Sequence, residues 1–147
     1  MKNETIRELI SGTKVRVQPE QFTLVSMEEG QWFELLKKPE LAPRMSAPFM
    51  IFKDNFEITL LLDEIDFGKI KNDLQLTKYE SGFRMLTFDI ELDFNVVGFL
   101  AEITKILAEA EISIIALSAF SRDHILVKQE NLANALKVLG EFVKDLC

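Results

Sequence analysis

The sequence is poor in the residues that build most catalytic and metal centres. It has one cysteine, Cys147, and one histidine, His124, in 147 residues. One cysteine cannot form an internal disulfide, and one Cys with one His cannot supply a familiar zinc ligand set. Basic charge is also short: 17 Lys and Arg stand against 24 Asp and Glu, a net charge of −7. A protein that neutralises phosphates needs the opposite balance, so nucleic acid is excluded as a partner, and docking on anionic lipid is disfavoured. The six glycines form no phosphate-cradling loop, and no serine sits in a nucleophile elbow. Apolar runs stay well below the roughly 18 residues needed to span a bilayer. Met1–Glu8 lacks the uncharged core of a signal peptide, so the expected location is cytoplasmic and no membrane partner is expected. No cofactor is implied.

What the chain does have is 48% apolar residues and 28% charged ones, the balance of one compact unit or two very small ones. In the first half, Asn3–Ile10 reads as a short helix stopped at Ser11-Gly12. Thr13–Val17 and Phe22–Met27 read as strands. Trp32, Phe33, Leu35 and Leu36 suggest a helical turn. Lys37–Pro48 holds Pro39, Pro43 and Pro48, so it is a loop. Phe49–Lys53 and Phe56–Leu62 form a hairpin around Asp54-Asn55. Glu64–Leu74 is a weak helix, and Thr77–Gly82 looks like the join between two halves.

The second half is more regular. From Arg84 to Leu92, residues Leu86, Phe88, Ile90 and Leu92 point one way, and Met85, Thr87, Asp89 and Glu91 the other. Asp93–Gly98 is a loop. Phe99–Ala110 carries an apolar stripe at helical spacing. Ile112–Ala119 is a strand, Ser121-Arg122-Asp123 a tight turn, and His124–Lys128 a further strand. Glu130–Leu146 repeats the helical stripe. Strand, helix, strand, strand, helix is the ferredoxin-like plan without its last strand. Only Val143–Cys147 remain after the stripe, so Thr13–Val17 or Phe22–Met27 is expected to complete this sheet. The helices should cover one sheet face and leave the other open for a partner. The expected fold is α+β: two tandem ferredoxin-like domains, 1–80 and 81–147, with antiparallel sheets.

The run from Leu92 to Ala101, LDFNVVGFLA, resembles the strand–loop–helix signature of ACT domains. Leu107–Ile114 resembles their helix exit, and Ile114–Val127 their following hairpin. The resemblance is strong over Ser81–Phe142 and thinner before it. It extends to small stand-alone tandem-ACT proteins and, more distantly, to CASTOR-type cytosolic arginine sensors and the regulatory region of aspartate kinase. On this resemblance 1–80 is a degenerate ACT-like domain and 81–147 an ACT domain. It implies a non-enzymatic regulatory protein. Such a protein binds a small molecule, an amino acid by analogy, at an interface between paired domains or in a homodimer. The alternative is a ligand-free interaction or dimerisation module. One position departs from the family: Glu111 stands where the helix exit usually has Gly, and Glu in a left-handed turn costs about 1 kcal/mol.

The candidate ligand-binding residues are Asp93, Asn95, Val96, Val97, Gly98, Phe99 and Asp123. Backbone N–H groups from Asn95 to Phe99, at a helix N-terminus, suit a carboxylate. The competing reading is that Asp93 or Asn95 caps the helix and Gly98 lets it pack. Asp123 matches a turn position that the resemblance places in the arginine sensors' pocket, where it would pair with a cation; a plain turn aspartate is the alternative. His124 should face away from the helices in a structural role. Asp63, Glu64 and Asp66 read as solvated carboxylates, lacking any calcium-loop pattern. Trp32 and Met45–Met50 are candidates for lining a cleft between domains. Most of the twelve phenylalanines have core spacing.

Overall fold

The structure, a computed structural model, describes residues 2–147, with side chains from Thr5 onward. The chain divides into two compact units, residues 20–83 and residues 1–19 with 84–147. The cut expected at residue 80 left residues 1–19 with the first half; here they group with the second.

The unit of residues 20–83 follows the strand-helix-strand-strand-helix-strand order. It runs β2 (Phe22–Met27), α2 (Glu29–Leu36), β3 (Met50–Lys53), β4 (Ile58–Asp63), α3 (Glu64–Ile70) and the first part of β5 (Lys78–Asp89). Its sheet order is β3-β4-β2-β5 with antiparallel neighbours. This is the complete ferredoxin-like arrangement. Val25, Met27, Leu60, Leu62, Phe67 and Ile70 form the core, because alternate strand residues and one helix stripe face each other. Trp32 packs against this same core.

Two expectations change in this unit. Thr77–Gly82 is not a linker but mostly the beginning of a twelve-residue strand. The pairing shifts between Phe22↔Phe83 and Leu24↔Glu80, so β5 carries one extra residue there, and Gly82 takes φ +85. Gly82 signals a bulge rather than a break. Asp63 and Asp66 are not solvated either: they are 3% and 1% exposed. Asp63 caps α3, accepting the Asp66 N–H at 2.8 Å. Arg44, from the proline-rich loop, donates its Nε to Asp66 at 2.9 Å and its Nη2 to Asp63. Lys69 stands 3.4 Å from Asp66. The sequence spacing could not show that Arg44 folds back onto this pair. Glu64 alone of the three stays exposed.

The other unit runs α1 (Lys2–Ser11), β1 (Lys14–Val17), the end of β5, α4 (Phe99–Glu109), β6 (Ile115–Ser118), β7 (Asp123–Lys128), α5 (Leu132–Leu139) and β8 (Asp145–Leu146). β6 pairs β7, β7 pairs β5, β5 pairs β1, and β1 pairs β8. The expected strand substitution therefore occurs through β1. Lys14–Val17 lies antiparallel to β5, from Lys14↔Asp89 to Val17↔Leu86, in the place of the missing fourth strand. Val15, Leu86, Phe88, Phe99, Ile103, Leu107, Ile125, Val127, Ala135 and Leu139 form the core, with Ile10 of α1 added.

The last helix is shorter than its apolar stripe suggests. A 3₁₀ turn at Gln129–Asn131 precedes α5, which ends at Leu139. The residues after Gly140 return to pair with β1 in parallel, with Cys147 N–H donating to Val15 O at 2.7 Å. An added Cβ at Gly140 would meet Leu146 Cδ1 at 3.2 Å, so glycine lets the tail approach. Val143–Cys147 therefore holds both a turn and a strand, contrary to the expectation from its length; two residues suffice because the β1 edge has unmet donors and acceptors. The sheet face away from the helices is not bare as expected: Met85, Thr87 and Leu126 on it are buried. Glu111 keeps the left-handed geometry of the helix exit, φ +59, and its N–H still reaches Ala108 O at 2.9 Å.

Candidate functional site

The connection from β5 into α4 and the β6–β7 turn meet at one end of the sheet. They are tied by Leu92 N–H, which donates to Ser121 O at 3.0 Å. Between them lies a cavity of about 280 Å³. Of the residues expected in a site, Asp93, Val96, Gly98, Phe99 and Asp123 line it, all within one unit. No second unit or subunit is needed to bring the two loops together. Asn95 and Val97 do not line it; Val97 lines a neighbouring cavity of about 400 Å³ with Ile6, Arg7 and Lys105.

The backbone donors divide in two. Asn95 N–H donates to Asp93 Oδ1 at 3.3 Å, and Val96 N–H to Asp93 O at 2.9 Å, so both serve the loop's own turn. Helix α4 begins at Phe99 with Gly98 at its N-cap, φ +96, and no side chain caps it. Neither Asp93 nor Asn95 acts as the cap. The first-turn N–H groups of Phe99, Leu100 and Ala101 have no acceptor within the helix. They lie beside the cavity with the positive end of the helix dipole.

Across the cavity, Asp123 accepts the Ser118 hydroxyl at 2.6 Å through Oδ1. Arg122 also lines it, but its Nε donates to Asp89 at 2.9 Å and its Nη2 lies 3.6 Å from Glu91. Arg16 donates to the other Asp89 oxygen at 2.6 Å. The two guanidinium groups, Arg16 more than Arg122, hold the Asp89 carboxyl below the usual carboxylate range. Arg122 thereby stiffens the turn that presents Asp123.

Sequence reasoning missed two side chains. Phe94, from the loop, and Phe120, from the turn, both line the cavity and are 76% and 82% exposed. Their rings meet edge to face, centroids 5.1 Å apart at 87°. The signal was present, since both lie in loop segments where no buried face can receive them.

His124 lies outside the cavity. Its Nδ1 is 2.9 Å from Thr87 Oγ1, which accepts from Gln18 Nε2 at 3.0 Å. Burial pushes its pKa down, partly offset by Asp123. This row runs from Gln18, just past β1, across β5 to β7 on the face away from the helices.

The matching corner of the other unit has different chemistry. There the α2 entry is closed by Gln31, whose Oε1 accepts the Glu28 N–H at 2.9 Å. Its cavity of about 420 Å³ is lined by Glu28, Glu29 and Glu57 with Lys53 and Lys78. Among the described residues, no group of three metal-binding side chains comes together, and no helix is long and apolar enough to cross a membrane.

Residues 78–141, from the first residue of β5 to just past α5, match the family model of the ACT domain. Over that segment the chain is similar to the ACT domain. Its matched segment holds the cavity, whereas β1, which fills the fourth-strand place, lies outside it. A protein of unknown function from Vibrio cholerae, titled a possible transport protein, has the same fold at 23% identity, over 97% of this chain and 98% of that one, with a TM-score of 0.71. A protein from Agrobacterium tumefaciens matches at 16% identity, over 92% of each chain, with a TM-score of 0.71. The ligand-free regulatory subunit of aspartate kinase from Thermus thermophilus matches at 10% identity, over 90% of this chain and 98% of that one, with a TM-score of 0.56. No match to the chain is found among curated protein sequences. The fold is thus α+β and ferredoxin-like, as in these solved structures.

Proposed function

We propose that this chain is a non-enzymatic regulatory protein that binds a free amino acid in the cavity between the α4 N-terminus and the β6–β7 turn. The observation that carries this reading is the single cavity of about 280 Å³ with a helix N-terminus bare of any side-chain cap on one wall and Asp123 on another. The ligand carboxylate would take the N–H groups of Phe99, Leu100 and Ala101, where the helix dipole favours an anion. Its α-ammonium would pair with the Asp123 oxygen that Ser118 leaves open. Asp93, Val96 and Gly98 shape the wall between them. His124 shares a hydrogen bond with the Thr87 hydroxyl outside the cavity, and no nucleophile or paired acid is assigned to this site, which is read as one that binds.

A thermal-shift series across the proteinogenic amino acids tests this. A ligand at a hundred times its dissociation constant adds about 2.7 kcal/mol of stability, roughly 5–10 °C for a chain of this size. Asp123→Ala should weaken binding by about tenfold or more while leaving the fold nearly intact. Equal affinity by calorimetry for the parent and Asp123→Ala removes Asp123 from the site. The second reading, a module that pairs with a copy of itself, is favoured by the exposed Phe94, Val97 and Phe120 beside the cavity. It gains if no amino acid binds and sedimentation shows a dimer.

A further inference from the structure

We infer that the side chain of the bound amino acid is aromatic, and that it seats against the Phe94–Phe120 pair. This rests on the amino-acid reading above and specifies it. The cavity lies at the low end of small-molecule sites, which run to roughly 300–1,000 Å³, so it suits a single amino acid rather than a nucleotide or a peptide.

The charged groups on its walls are already engaged. Arg122 is paired with Asp89 and Glu91, and Asp93 and Asp123 each accept one hydrogen bond through Oδ1. The second Asp123 oxygen faces the ligand's ammonium in the reading above. An anionic ligand side chain would therefore find no counter-charge, and any charged side chain would lose hydration against Val96, Leu100 and the two rings. An aromatic side chain meets the opposite condition. Phe94 and Phe120 touch each other by edge and face, yet both stay mostly in water. They come from the two loops that the Leu92–Ser121 hydrogen bond already ties together, so their spacing is set before any ligand arrives. A third ring seated on the pair would cover apolar surface on both and gain the same edge-to-face contacts.

Titration calorimetry on the full chain with L-phenylalanine, L-alanine and L-arginine tests the inference. Phenylalanine is expected to bind at least about tenfold more tightly than either of the others. Phe120→Ala and Phe94→Ala should each bring the phenylalanine-to-alanine affinity ratio toward one, and Phe120→Tyr should keep it. Circular dichroism checks that each variant folds. Alanine or arginine binding as tightly as phenylalanine overturns the aromatic assignment while leaving the amino-acid reading in place. A ratio that survives both alanine substitutions also overturns it. Binding of none of the three overturns the aromatic assignment; failure of the full proteinogenic series overturns the amino-acid reading with it, and rings shielded in a ligand-indifferent dimer would then account for the exposed pair.

Discussion

Replacing Gly98 with alanine tests the geometry on which the site depends. Gly98 sits at φ +96 immediately before α4. A Cβ added there meets only Ile6 Cγ1, at 3.9 Å, an ordinary contact. The cost is therefore one of backbone conformation and not of crowding. A left-handed conformation costs an L-residue about 1–2 kcal/mol, and alanine recovers about 0.4–1 kcal/mol by restricting the unfolded chain. The net expectation is a loss of about 1 kcal/mol, a fall in melting temperature of about 2–4 °C at this chain length. Gly30→Ala is the control. Gly30 lies inside α2, and an added Cβ has nothing within 4 Å. There the same change should raise stability by about 0.5–1 kcal/mol. Urea denaturation of both variants reads the two signs. If Gly98→Ala proves neutral or stabilising, the argument for a strained N-cap is wrong. If it destabilises but leaves amino-acid affinity untouched, the α4 N–H groups are not the carboxylate site.

Other outcomes follow from the same structure. Glu111→Gly should stabilise by about 0.5–1 kcal/mol, because φ +59 suits glycine, whereas Glu111→Ala should change little; urea midpoints that move together would point to the charge and not the backbone. Burial depresses the folded pKa of His124, so its contribution is fully present above the unfolded value near 6.5 and is lost as pH falls through the lower folded value. The stability difference between the parent and His124→Gln should accordingly shift against the parent as pH drops from 7.5 to 5.5, and a flat difference would refute this. Arg44→Met leaves two buried carboxylates without their main partner, so it should lower the urea midpoint more than Arg16→Met, whose pair with Asp89 is exposed to solvent. Residues 81–147 expressed alone lack β1 and should aggregate or melt without cooperativity, since the backbone groups of Leu86–Asp89 lose their partners; adding residues 1–19 as a peptide should restore a cooperative transition.

The sequence by itself determined the local elements whose signal is a period. The alternation of Leu86 and Phe88 and the stripe Phe99, Ile103, Ile106 and Leu107 settled β5 and α4, because burial on one face demands those spacings. The count of strands also implied that an N-terminal segment must complete the second sheet, since a ferredoxin-like unit without its fourth strand leaves an edge unpaired. Four features needed the tertiary structure. Arg44 and the pair Asp63 and Asp66 are 19 and 22 residues apart and meet only because the proline-rich loop folds back. The last helix ends at Leu139 because the tail gains hydrogen bonds to β1 that no local pattern encodes. The segment before Arg84 continues as strand because β2 supplies its partners. The cavity joins a loop at residues 92–98 to a turn at 118–123, and Phe94 to Phe120, across a sequence separation that carries no periodic signal. Composition and spacing report which face of an element is buried; which two loops share one end of a sheet is decided by strand order, and that exists only in the folded chain.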